Sequence, residues 1–213
     1  MAYISADQRR KDIVKAAIDV IASEGLAKTT TRRIAERAGA PLGVLHYCFK
    51  DKSEVLQGIL DEGTAMIRAA FDHVDPSEGL EATISNDIAA LWQWYQDNLE
   101  LQLALTEMGM ARIRRGGPPK KLYAMWDSLG RDVMLQHLKE AEKHDKRKLR
   151  IPAQEIVRFI LHRFDGLTLE YAASRDRAAC QRQIDLLTEA MILLGLGTSA
   201  RQKPMLATGT KGG

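Results

Sequence analysis

Between Thr29 and Phe49 the chain reads TTTRRIAERAGAPLGVLHYCF, and no other stretch restricts the fold as much. Helical spacing puts Ile34, Ala35 and Ala38 on one side, Thr30 or Thr31 is placed to cap the start, and Gly39 supplies the left-handed residue that stops the helix after barely two turns. After Gly39, Ala40 and Pro41 a second piece, 42–48, is also about two turns long, with Leu45 and Phe49 directed inward. Two short helices around a tight glycine turn form a helix-turn-helix, in which the second helix enters the DNA major groove and the first braces it across the backbone. A helical corner of an ordinary core fits the shape alone equally well. The outer side of the second piece carries Val44, His46 and Tyr47 where a solvated helix favours Lys and Glu, and such side chains suit base edges and thymine methyls.

The remaining pattern predicts an all-α chain of about nine helices. A first helix starts near Ser5 or Asp7 and ends at Gly25, with Ile13, Ala16, Ala17, Val20 and Ile21 as its buried stripe. Asp51 to Glu54 read as a capping box that opens a long fourth helix reaching roughly His73. Five more helices are expected at about 80–97, 99–114, 119–145, 153–174 and 176–196, separated by DPSEGL, RGGPP and KRKLRIP loops. No alternating strand pattern bounded by hairpin turns occurs. The predicted organisation is a three-helix DNA-binding domain at 1–52, a larger helical ligand-binding and dimerisation domain at 53–197, and a disordered tail at 198–213.

Charge is distributed along this division. Residues 1–52 hold ten Lys/Arg against six Asp/Glu, and the rest hold twenty-one against twenty-two, so the net +3 sits at the front. A basic front suits phosphate contact, although a solvated face has the same balance. With 45% hydrophobic residues the 213-residue chain has material for a core. Cys48 and Cys180 stand apart, without metal-ligand or disulfide spacing. Neither a signal peptide nor a run of about 18 apolar residues is present, so a cytoplasmic protein is expected. Nucleophile-elbow, phosphate-loop, dinucleotide and zinc-protease motifs are missing, and the five histidines make no i, i+4 pair; no enzyme, metal or cofactor is expected.

Across residues 8–60, Gly25, Thr29, Thr30, Arg32, Ile34, Ala35, Ala38, Gly39, Gly43, Leu45, Phe49 and Lys52 resemble, at matching spacing, the TetR family of bacterial repressors. Beyond them the resemblance covers helix count, length and the Asp165-Gly166-Leu167 step. It implies a DNA-binding transcriptional regulator, most simply a repressor released from a palindromic operator by a small effector. A helical ligand-binding or adaptor protein without operator recognition is the alternative. Residue by residue, Thr30 matches a helix cap that touches phosphate, Arg32 a position that reads guanine in some members, His46 and Tyr47 the aromatic contacts of the recognition helix, and Lys52 a phosphate-binding lysine. Thr31, Arg33, Leu42, Gly43 and Val44 complete the expected surface. Pro41 removes a polar cap, Arg33 stands where an acid would close a capping box, and Leu42 and Val44 shift readout toward thymine methyls.

In the larger part, large aromatic and Met side chains at helical spacing serve a core or line an apolar cavity. Trp92, Tyr95, Met108, Met125, Trp126 and His137 are the candidate effector contacts, since the family implied by the resemblance holds its effectors between the middle helices. Arg112 falls one turn beyond Met108; it either snorkels out at a helix end or meets an anionic effector inside the apolar pocket. The last two helices carry apolar residues on a second side, Phe159, Leu169, Leu186 and Leu193, more than one core covers. That surplus predicts a two-fold homodimer through a four-helix bundle.

Overall fold

The computed structural model describes residues 5–115 and 130–197. Among the described residues the fold is entirely helical: α1 (Ala6–Glu24), α2 (Thr31–Arg37), α3 (Leu42–Cys48), α4 (Lys52–Ala70), a 3-10 turn (Pro76–Glu78), α5 (Leu80–Asp97), α6 (Leu99–Arg114), α7 (Arg131–His144), α8 (Ala153–Ser174) and α9 (Arg177–Leu196).

Short-range caps start most of these helices. Ser5 Oγ accepts from Gln8 N at 3.1 Å, Asp51 from Glu54 N at 3.0 Å, and Asp176 from Ala179 N at 2.9 Å. The box at α4 closes in reverse one residue early, because Glu54 Oε2 accepts from Lys50 N at 2.8 Å. Gly39, at φ +60°, ends the α2 segment as expected. One start is held from far along the chain: Gly79 has no side chain to cap α5, and Asp145 Oδ2 accepts from Leu80 N at 3.0 Å instead.

The α1 stripe packs on Ile34, Leu45 and Phe49, all essentially fully buried, so α1 to α3 form one small head. Helix α4 leaves that head with Val55 and Ile59 and enters the body with Ile67. There α5 is central, contributing Leu80, Ile84, Ile88 and Leu91 to a core shared with Ile156, Ile160 and Phe164 of α8 and Ile184, Leu187 and Met191 of α9. Buried apolar residues run without a break from head to body.

The expected continuous helix at 119–145 needs correction. Gly130 adopts φ +84°, ψ −25°, and α7 begins only at Arg131. Packing explains the break: a Cβ on Gly130 would lie 3.1 Å from Ile67 Cδ1 and 3.4 Å from the Phe71 ring, so α4 approaches the backbone where a side chain would stand. The expected fourth helix also ends earlier, at Ala70 and not near His73. Residues 116–129 and the tail at 198–213 lie outside the described residues.

Candidate nucleic-acid interface and the cleft behind it

The exposed face of α2 and α3 gathers most of the expected contacts. Tyr47 is 83% exposed and Leu42 41%, with His46 and Gly43 beside them in solvent and Val44 half-buried. Thr30 caps α2 by accepting from Arg33 N at 3.2 Å; its hydroxyl hydrogen is left for an outside acceptor. Thr31 is half-buried next to it. Arg32 pairs with Glu36 at 3.0 Å and Arg33 with Glu24 at 2.9 Å, both exposed guanidiniums whose pairs exchange readily for phosphate. Pro41 leads α3 without a side-chain cap.

Lys52 has another place than the expected one. Its ammonium donates to Leu26 O at 2.9 Å and Thr29 O at 2.5 Å, and burial, followed by the charge of Arg115, holds its pKa below the usual lysine range while Glu107 opposes the shift. Two of its three donors therefore tie down the α1–α2 corner. From the body, Glu107 Oε1 on α6 accepts from Leu26 N at 2.8 Å. Leu26 thus has its carbonyl held by α4 and its amide by α6.

A second clamp holds α3. Arg10 donates to Cys48 O at the end of that helix, lies 4.1 Å over the Phe49 ring, and reaches Glu54 at 3.5 Å. A cation at a helix C-terminus is favoured by the dipole. Sequence reading passed over Arg10 and Glu107, because each acts across a long stretch of chain that periodicity does not connect.

In the body, the candidate effector residues separate. Trp92 is core: its Nε1 donates to Gln181 at 2.9 Å and its ring meets Tyr171 edge-on at 5.4 Å, toward α8 and α9. Tyr95 packs against Trp94 and Phe164, and burial drives its hydroxyl pKa well above the usual range. Met108 is buried in α6. Of the two places open to Arg112, the structure shows the helix end: it is exposed in the last turn of α6, where the free carbonyls favour positive charge, and not inside an apolar pocket. Met125 and Trp126 lie outside the described residues.

Among the described candidates, His137 reaches the cleft at the end of α4. It lines a cleft of about 500 Å3 between the end of α4 and the start of α7, together with Phe71, Val74, Val133 and the charged Arg68, Asp72 and Asp132. Its Nδ1 lies 2.7 Å from Oδ1 of Asp87 on α5, and its ring meets Phe71 edge-on at 6.1 Å. Asp87 is 1% exposed, its Oδ2 has no hydrogen-bond partner, and burial, partly offset by His137, raises its pKa. Burying a carboxylate costs several kcal/mol unless its oxygens are satisfied. Asp87 went unnoticed in the sequence, although it interrupts the apolar stripe between Ile84 and Ile88.

On the far side of the body, α8 and α9 present Phe159, Leu169, Leu186 and Leu193 at 54%, 58%, 55% and 47% exposure, with Leu194 beside them at 50%. These are the residues the second apolar side predicts. No described helix is long and apolar enough to cross a membrane.

A family model described as bacterial regulatory proteins, tetR family, matches residues 13–59, the span from the α1 stripe to Ile59. The nicotine-responsive transcriptional repressor HdnoR of Paenarthrobacter nicotinovorans is 29% identical over 193 residues, which cover 85% of this chain and 95% of that one. Among solved structures, a TetR family transcription regulator from Marinobacter aquaeolei VT8 matches with a TM-score of 0.65 at 16% identity, covering 89% of this chain and 96% of that one. The multidrug binding protein EbrR, solved with imidazole, matches with a TM-score of 0.56 at 21% identity, covering 91% and 98%. At such identities the structural matches establish a shared fold.

Proposed function

The chain belongs to the TetR family of bacterial transcriptional regulators, and from that premise we propose that it is a repressor whose two heads hold a palindromic operator until a small molecule enters the body. Proteins of this family bind DNA and small molecules and act as dimers; they are regulators and not enzymes. The observation that carries the reading is the exposed face of α3, where Tyr47 and His46 stand in solvent while Leu45 and Phe49 lock the helix from behind, together with the exposed Arg32 and Arg33 of α2. In this reading residues 1–52 are the DNA-binding part and 53–197 the effector and dimer part, with α4 running from one into the other. Thr30, Arg32, Arg33, His46 and Tyr47 meet the duplex, and Lys52 sets the α1–α2 corner that presents them. The exposed apolar sides of α8 and α9 meet their two-fold copies in a four-helix bundle, placing the half-sites about one helical turn or somewhat more apart. A cytoplasmic location accords with DNA as the partner.

Selection of bound fragments from random duplex DNA tests this. The expected product is a palindrome, and on it Arg32→Ala or Tyr47→Ala should each cost roughly 1–3 kcal/mol and relax specificity. A selection that returns no enriched sequence, or unchanged operator affinity in both variants, would remove the assignment.

A further inference from the structure

The α4–α7 cleft has a polar anchor whose chemistry selects its ligand. Asp87 is the one charged residue among the described residues that is fully buried, and its Oδ1 lies 2.7 Å from His137 Nδ1. With the carboxylate ionised, Oδ1 accepts and Nδ1 donates, and a ring that carries its proton only there presents Nε2 as an acceptor. Among the described residues His137 has no other hydrogen bond or ion pair, and it forms part of the cleft wall.

The charged lining is Asp72 and Asp132, the latter paired with Arg131 at 3.4 Å, together with Arg68, and Asp87 is buried behind His137. Phe71, Val74 and Val133 supply apolar surface, and Phe71 already meets the His137 ring. At about 500 Å3 the cleft matches the size of sites for small organic molecules. With Arg112 exposed at the end of α6, the anionic effector it suggested loses its partner.

We propose that this cleft is the effector site and that the effector is an organic cation, a protonated amine or nitrogen heterocycle that donates N–H to Nε2 of His137 and lays its apolar body on Phe71 and Val133. The proposal rests on the reading of the chain as an effector-responsive regulator and adds the charge and the anchor of the effector.

Titration calorimetry of the full chain with three probes on one skeleton tests it: 3-phenylpropylamine, 3-phenylpropan-1-ol and 3-phenylpropanoate, at pH 7 in phosphate buffer. The amine should bind at least tenfold more tightly than the alcohol, with the carboxylate weakest. Asp87→Asn and His137→Phe should each cost the amine tenfold or more and leave the alcohol within about twofold. Asp132→Asn, on a side chain 64% exposed and so harmless to folding, should cost the amine a few-fold. Equal binding of amine and alcohol, tighter binding of the carboxylate, no binding of any probe, or an unchanged amine affinity in His137→Phe overturns the proposal. Operator affinity of the ligand-free protein, measured on the selected palindrome, separates the two readings. Failure there removes the regulator, whereas intact operator binding with failed amine selectivity removes the cationic effector alone.

Discussion

Replacing Glu107 with alanine should loosen the junction between head and body. Glu107 Oε1 receives the Leu26 amide at 2.8 Å, and Leu26 is only 8% exposed, so the vacated N–H has little access to water. A hydrogen bond to a charged group contributes about 1.5–3 kcal/mol. Because Glu107 is half-buried, the lower part of that range, about 1.5–2 kcal/mol, is the reasonable expectation. For a chain of this length each kcal/mol moves Tm by roughly 2–4 °C, so Glu107→Ala should melt about 3–8 °C lower, measured by circular dichroism at fixed protein concentration. Glu107→Gln keeps an acceptor for Leu26 and gives up the charge that supports the Lys52 ammonium, so it should fall between wild type and alanine. The same tie limits signalling: a contact of about 1.5–2 kcal/mol transmits at most a roughly 10- to 30-fold change in operator affinity. The ratio of operator affinities without and with effector should therefore shrink in Glu107→Ala. A melting temperature within 1 °C of wild type, with an unchanged ratio, would refute the reasoning.

Three further outcomes are expected. Leu186→Glu together with Leu193→Glu places two charges on the exposed apolar side of α9, so the protein should sediment as a helical monomer and lose operator binding; a variant that remains dimeric places the interface elsewhere. Asp145, hydrogen-bonded by the Arg147 side chain first and then by backbone N–H groups of Arg147 and Leu80, has its pKa drawn from 3.8 down to about 2. Its folded pKa lies below the unfolded one, so its contribution is complete above about pH 4 and lost as pH falls toward 2. Denaturant midpoints should decline over that window in wild type and decline less in Asp145→Asn, and parallel curves would contradict the assignment. Gly130→Ala adds a Cβ at φ +84° and 3.1 Å from Ile67 Cδ1, which should cost about 2 kcal/mol, or roughly 4–8 °C in Tm by differential scanning calorimetry; an unshifted endotherm would mean that the turn is not held by α4.

What could be read from the sequence, and what could not, follows the reach of each interaction. Ser5, Thr30 and Asp51 cap their helices through bonds to residues three positions on, so these caps and most helix starts were visible in the string. The buried stripe of α1 was visible because helical periodicity is local. Gly130 shows the limit: a glycine inside a helical pattern is ordinarily tolerated, and here it stands left-handed ahead of α7 because Ile67 and Phe71 occupy the space of a side chain. Trp92 looked like a wall of a binding site until Gln181, on a helix that periodicity could not position, took its N–H. Arg112 sat correctly in phase beyond Met108, yet phase says nothing about whether the last turn of a helix is still covered. The bonds that define the candidate sites span 81 residues for Leu26 and Glu107, 65 for Leu80 and Asp145, and 50 for Asp87 and His137. A residue pattern records which face of a helix is buried and leaves open what that face meets. Its one trace of a distant polar partner is a breach of the pattern, and Asp87, an acid set between Ile84 and Ile88, is such a breach: a stripe that must be buried carries a charge that cannot be buried alone.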